Sequence, residues 1–350
     1  MAYSQLDAIT TLLDGARDIV IVQADNPDAD SLGSALGLEC ILGAKGKNVH
    51  LYCAVEIPYY LHYLPGWDRV MHELPKQFDA SIVVDCSTLT LMERLQESGE
   101  MGWLKSKPNI TVDHHGAVDN KVDFATVELY DATASSSSEV VYNLAAQLGW
   151  TIDPIAGACL MTGILGDTQG LSNDLASAET YRVMAALVEL GVDRPKLEEQ
   201  RKEYNRMPPE IFRYKGKLIE RAEFAADGRI VTIVIPQEEI NTYSPIYNPT
   251  PLVQNDMLLT SGVCLTIVFK QYDDGKVTAA IRANNGYAVA DKLAAHMGGG
   301  GHPYASGFKQ MTTRPFNEIK SECIEFATEL LNNLAKEHSD ETPQHTYSAN

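Results

Sequence analysis

Apolar residues in the first two hundred positions fall into short runs, separated by longer stretches with helical spacing. The runs 19-IVIVQA, 48-NVHLYCA, 80-ASIVVD and 109-NITVD have the length and β-branched content of buried strands. Between them, 31-SLGSALGLECILGAKG, 88-TLTLMERLQESG and 136-SSSEVVYNLAAQLG repeat at the period of a helix. Strands alternating with helices predict an α/β fold, a doubly wound and mostly parallel sheet whose ligands bind beyond the carboxyl ends of the strands. Three of those ends carry acids: Asp25, Asp28 and Asp30, then Asp85, then Asp113.

The pattern changes after residue 190. A helical stretch, 176-ASAETYRVMAALVELGV-192, runs into 195-PKLEEQRKEYNRMPPE-210, whose charge density predicts a solvated helix ended by Pro208 and Pro209. Beyond it, 229-RIVTIVIP, 263-VCLTIVFKQ and 276-KVTAAIRA read as strands, with a hairpin across 272-YDDGK. A helix over 288–297, a glycine run and an amphipathic helix over 315–337 follow. The expected organisation is a first domain over 1–193, a helical linker over 194–220, a second and smaller α/β domain over 221–337, and a disordered tail over 338–350.

Composition narrows the function classes. The 350 residues, 45% apolar and 21% charged, describe an ordinary globular chain. No apolar segment approaches the roughly 18 residues of a membrane span, and the N-terminus has no secretory pattern, so a cytoplasmic protein is expected. Six cysteines without CxxC spacing read as reduced core residues. A net charge of −19 argues against long duplex nucleic acid as a partner, because that binding needs many phosphate contacts. It leaves room for a small anion in a local pocket, and clustered aspartates suit divalent cations.

The candidate chemistry centres on 112-VDHHG-116, which places Asp113, His114 and His115 at a strand end beside the other aspartates. Carboxylate and imidazole without thiolate favour hard divalent ions, and a two-metal site serves phosphoryl chemistry. In 163-GILGDTQGLSN-173, glycines flank Asp167, which either points into the same crevice or caps a turn. The run 298-GGGGH-302 either joins a helix to a strand as a flexible loop or offers backbone N–H groups to an anion, with Arg282 and His302 at hand. Tyr304 is a candidate base-stacking ring, 56-EIPYYLHYLPGW-67 reads as packing or base contact, and 134-ASSSSE-139 as a helix cap or a phosphate contact.

With 26-NPDAD-30, 84-VDCS-87, 113-DHH-115 and 166-GDT-168 in this order, the sequence resembles the DHH phosphoesterase superfamily. The stretches 280-AIRANNG and 298-GGGGHPYASG-307 look like the DHHA1 substrate domain, and the whole is most similar to the bacterial oligoribonuclease (nanoRNase)/pAp phosphatase group. The resemblance implies two Mn²⁺ or Mg²⁺ ions, the first on Asp28, the second on Asp30, His114 and Asp167, with Asp85 bridging. It implies His115 facing the substrate phosphate, Asp113 orienting its neighbours, and Arg282, Gly299, Gly300, Gly301 and His302 holding the substrate. The implied partners are short single-stranded RNA or DNA oligonucleotides or small nucleotides such as pAp, with no membrane; a homodimer is compatible with it.

This chain departs from the family pattern at Ala24, where a metal-ligating histidine is usual. The first metal site is expected to be weakened, with Asp25 the obvious candidate to fill the gap and Gln23 or water the others. A second departure is 167-DTQGL-171, where many relatives read DTG followed by an aromatic. Two alternatives to nucleotide hydrolysis stand: hydrolysis of a phosphoanhydride such as pyrophosphate, which the GGGGH signature opposes, and a catalytically weakened nucleotide-binding regulator, which Ala24 motivates.

Overall fold

The computed structural model describes residues 2–86, 88–115 and 122–340, apart from the side chains of His302 and of residues 337–340. Ser87, Gly116 and 341–350, which fall in stretches quoted above, lie outside the described residues. The chain forms two compact units, Met1–Arg206 and Met207–Asn350.

In the first unit, α1 (Leu6–Asp14), β1 (Asp18–Val22), α2 (Ala29–Ala44), β2 (Asn48–Tyr52) and β3 (Ala80–Val84) come first. They are followed by α3 (Glu93–Glu97), α4 (Met101–Lys105), β4 (Asn109–Asp113), β5 (Val127–Tyr130), α5 (Ser137–Gln147), α6 (Pro154–Asp167), α7 (Ala178–Glu189) and α8 (Arg194–Tyr204). The five strands pair in parallel in the order β2-β1-β3-β4-β5. Alternation divides the strands between two cores. Ile19, Ile21, Ile82 and Val84 pack under α2, α5 and α6, while Val20, Val22 and Val83 pack with Met92, Leu95 and Leu104 on the opposite face. A sheet covered on both faces needs strands apolar throughout, which is why β1 and β3 read as unbroken runs.

The chain leaves β1 toward β2 on one side and pairs with β3 on the other, so a crevice opens beyond their carboxyl ends. Elements absent from the periodicity reading complete this unit, among them β5, a short edge strand, and α6, which is apolar nearly all round because it is buried between α2 and α5. Glycine permits that burial. A Cβ on Gly163 would collide with Ser138 Oγ and come within 2.6 Å of Asp30 Oδ1, and one on Gly33 would come within 2.5 Å of the Cys159 carbonyl.

The second unit contains α9 (Pro209–Glu220), β6 (Glu223–Ala225), β7 (Ile230–Pro236), α10 (Gln237–Tyr243), α11 (Pro249–Leu258), β8 (Leu265–Gln271) and β9 (Lys276–Ala283). It ends with α12 (Ala290–His296), β10 (Gly300–His302), β11 (Ala305–Met311) and α13 (Phe316–Asp340). Its sheet runs β10-β11-β9-β8-β7-β6, antiparallel except for β7 and β8. One face carries α12 and α13, the other α9 and α11.

The stretch expected as a linker is divided between the units. Leu197 anchors α8 to the core of the first, and Ile211, Tyr214 and Leu218 anchor α9 to that of the second. The charged helix stops earlier than expected, at Tyr204 with Asn205 as its cap, and Pro208 and Pro209 instead start α9, since proline fits the first helical position. Residues 338–340, placed in a tail by composition, belong to α13. All six cysteines are unpaired and five are buried. Among the described residues no helix is long and apolar enough to cross a membrane.

Candidate active site

Four segments converge beyond the carboxyl ends of β1, β3 and β4. Asp28 is the N-cap of α2, its Oδ1 accepting from the backbone of Asp30 and Ser31 at 3.0 Å each. Asp30, in the first turn, is fully buried, and its two carboxylate oxygens accept from Ser137 N at 2.6 Å and Ser138 N at 2.8 Å. The serine run therefore does more than cap α5 through Ser136: its free amides fix the aspartate. Asp85 follows β3 with φ of 54°, a left-handed conformation that aspartate tolerates better than most residues, and it accepts from Ser137 Oγ at 3.1 Å.

At the end of β4, Asp113 Oδ1 accepts from the backbone of His114 and His115 at 2.7 and 2.9 Å and pairs with His115 Nδ1 at 2.8 Å. That arrangement aims the two rings in different directions. His115 is half exposed, whereas His114 Nε2 is buried, 3.0 Å from Asp167, 3.9 Å from Asp85 and 4.0 Å from Asp30. Asp167 is the last residue of α6 and not a cap at a helix start. A carboxylate there opposes the helix dipole, a cost that a cation would offset.

The electrostatics describe an anionic hole. Burial first, then Asp167, pushes the Asp30 carboxyl up to about 7. Burial, then Asp30, Asp28 and Asp167, holds Asp85 well above the usual carboxylate range. Asp28 is exposed as a residue, yet partial desolvation and Asp167 raise its carboxyl too. Burial would lower the His114 imidazole, but Asp167 and Asp30 outweigh it and raise it; the hydrogen bond to Asp113 does the same for His115.

Among the described residues, only histidines pair ionically with Asp30, Asp85 and Asp167. Ligand atoms of Asp30, His114 and Asp167 lie within 4.8 Å of one another, as do those of Asp85, Asp113, His114 and His115. An imidazole nitrogen 3.0 Å from one carboxylate and within about 4 Å of two more fits a hard divalent ion. Asp28 belongs to neither group.

Nor does the gap at Ala24 find its expected substitute. Ala24 is buried in the apolar cluster of Val22, Tyr52, Val83 and Met92. Asp25 Oδ2 accepts from Arg94 N at 2.8 Å, serving the first turn of α3, and it joins neither group of ligand atoms. Its place one residue nearer the loop turns it away from the crevice. Gln23 is buried with Oε1 3.4 Å from Ser31 Oγ.

In the second unit, Arg282 and Lys270 line a cavity of about 390 Å³ with Asn248, Thr250 and Gln254. Among the described residues neither cation meets a carboxylate: Arg282 donates to the Ile281 carbonyl at 2.9 Å and Lys270 to Asn248 Oδ1 at 3.0 Å, and desolvation lowers both. The glycine run is no flexible loop; Gly300–His302 is edge strand β10, pairing with β11. A Cβ on Gly301 would lie 2.6 Å from Ser306 Oγ. Gly299 N donates to the Ala294 carbonyl at 2.7 Å, so that amide is not free for an anion, contrary to the expectation for it. His302, Ala305 and Arg282 share one register line across β10, β11 and β9.

Residues 18–164 match the family model described as "DHH family, N-terminal domain". The bifunctional oligoribonuclease and PAP phosphatase NrnA of Thermus thermophilus is 28% identical over 291 residues, covering 83% of each chain. Its namesake in Bacillus subtilis is 23% identical over 292 residues, covering 83% of this chain and 88% of that one. An exopolyphosphatase-related protein from Bacteroides fragilis superposes with a TM-score of 0.83 at 23% identity, over 95% of this chain and 98% of its own. The Mn²⁺ complex of RecJ from Thermus thermophilus superposes at 0.55 and 17% identity, over 94% of this chain and 55% of its own. These two structures share the fold.

Proposed function

We propose that this chain, whose residues 18–164 match the DHH-family model, hydrolyses phosphodiester bonds of short single-stranded oligonucleotides, and the 3′-phosphate of pAp, with divalent metal ions. The observation that carries this reading is the buried His114 Nε2 amid the carboxylates of Asp30, Asp85 and Asp167, which among the described residues meet no Lys or Arg side chain. Asp30, His114 and Asp167 would hold the second ion, and Asp85 would be shared with the first, on Asp28. The first ion has the poorer donor set, since Ala24 supplies none and Asp25 is spent on α3. Mn²⁺ or Mg²⁺ suits this oxygen-rich set, and when bound such ions acidify a water and neutralise phosphoryl charge.

The chain's own residues do the rest. His115, kept protonated more readily by Asp113 and half exposed, would donate to a phosphate oxygen as charge develops on it. Ser137 and Ser138 keep Asp30 from rotating out of place. Arg282 and Lys270, which meet no carboxylate among the described residues, would bind a phosphate in their cavity. The names of the NrnA relatives agree with oligonucleotides and pAp as substrates.

Purified protein incubated with a labelled RNA dinucleotide, pAp and pyrophosphate across an Mn²⁺ titration tests the proposal. Cleavage of the dinucleotide or pAp is expected. Hydrolysis of pyrophosphate alone would favour a phosphoanhydride hydrolase, and no turnover at millimolar metal a nucleotide-binding regulator.

A further inference from the structure

Two motifs left without a role meet at one cavity of the first unit. The aromatic stretch 56–67 supplies Tyr60 and Tyr63, and the charged helix α8 supplies Arg194, Leu197 and Arg201. The cavity holds about 490 Å³, within the range of small-molecule sites. Its remaining wall includes Ala29, which stands between Asp28 and Asp30, and Gly166, which precedes Asp167. The backbone that carries the anionic cluster is thus also the wall of the cavity, and the Tyr60 phenol lies within the field of Asp28.

The lining has the chemistry of a nucleotide site. Tyr60 remains 43% exposed, an amphipathic ring that lines the cavity together with the apolar Leu165 and Leu197. Arg201 is held by Glu198 through Nε at 2.9 Å and Nη2 at 2.7 Å, which fixes the guanidinium and leaves its Nη1 edge for another acceptor. Arg194 reaches the same carboxylate only at 3.4 Å. Two guanidinium groups to one carboxylate leave a local positive excess in a chain of net charge −19. Tyr204 at the end of α8 lies 5.4 Å from the Tyr59 ring and 6.4 Å from that of Tyr63, so ring contacts fasten the helix to the aromatic turn and give the cavity a rigid rim.

We propose that this cavity is a subsite for one nucleotide of the substrate, its base stacked on Tyr60 and its phosphate held by Arg194 and the free edge of Arg201. The subsite rests on the nucleotide-hydrolase reading and places one nucleotide on the Asp28–Asp167 side of the bond that is cut. A flat ring and an anionic group on adjoining walls select a nucleotide over pyrophosphate, which has no base to stack.

Titration calorimetry of the whole protein with AMP, adenosine and inorganic phosphate, alongside KM and kcat for the RNA dinucleotide, tests the subsite. Tyr60→Ala should weaken both AMP and adenosine, and raise the dinucleotide KM about tenfold with a smaller fall in kcat; Tyr60→Phe should restore both. Arg194→Gln should weaken AMP and spare adenosine. Unchanged AMP affinity and KM in both variants would overturn the subsite even if the wild type cleaves nucleotides. If the wild type hydrolyses only pyrophosphate while AMP binding still depends on Tyr60, the subsite stands and the proposed function falls. Absence of AMP binding by the wild type would overturn the subsite whatever it hydrolyses.

Discussion

At the scale of single residues, the site depends on carboxylates kept where charge is costly. Asp30 is buried, its oxygens held by two amides, and Asp85 sits among four other acids, so each is retained against a desolvation penalty. Asp85→Ala removes the carboxylate proposed to be shared by the two ions and should abolish hydrolysis; residual rates near wild type would displace it from the proposed bridging position. His115→Ala should lower kcat by about 10²-fold or more, as loss of a positioned proton donor does, and is checked on the dinucleotide at saturating Mn²⁺. Ala24 is packed in an apolar cluster, so a histidine there must push Val22 or Met92 aside unless its ring turns to the crevice. Ala24→His should lower the Mn²⁺ concentration for half-maximal occupancy of the weaker site about tenfold, read by electron paramagnetic resonance of free Mn²⁺. No change would mean that Ala24 does not limit that site.

At the scale of elements, strands β1, β3 and β4 were readable because burial on both faces leaves apolar runs ending in acids. Helix α6 was not, since burial on all sides removes the amphipathic period that marks a surface helix. Its packing on α2 and α5 delivers Asp167 to the cluster, and glycine makes that approach possible. Gly163→Ala should therefore cost about 1–3 kcal/mol in urea unfolding, with weaker Mn²⁺ binding, because the new methyl meets Ser138 and Asp30 together. Loss of stability alone would mean that the contact only supports packing.

At the scale of the whole molecule, the chain is two compact units divided at residues 206 and 207. Residues 1–206 expressed alone should fold and bind Mn²⁺ yet lose affinity for the dinucleotide, which calorimetry checks. The metal-free protein carries a pH dependence of definite sign. The folded carboxyl of Asp30 titrates near 7 against an ordinary 3.8, so its contribution to stability is full below 3.8 and is lost as pH rises through about 7. Thermal melts in EDTA should fall across that window, and the rise in Tm on adding Mn²⁺ should grow across it as the ion replaces protons. A flat EDTA profile would mean that Asp30 is not held protonated.

The sequence by itself determined the alternating architecture, the acids at three strand ends and the paired histidines, because local periodicity and residue type are written in consecutive positions. It also exposed the substitution at Ala24. Only the tertiary structure decided that Asp25 serves α3 and not the crevice, that Ser137 and Ser138 lock Asp30, and that α8 belongs to the first unit. It alone placed Tyr60 and Arg194 on one cavity beside the aspartates. These are relations between segments far apart in the chain, set by which faces must be buried together and carried by no local pattern.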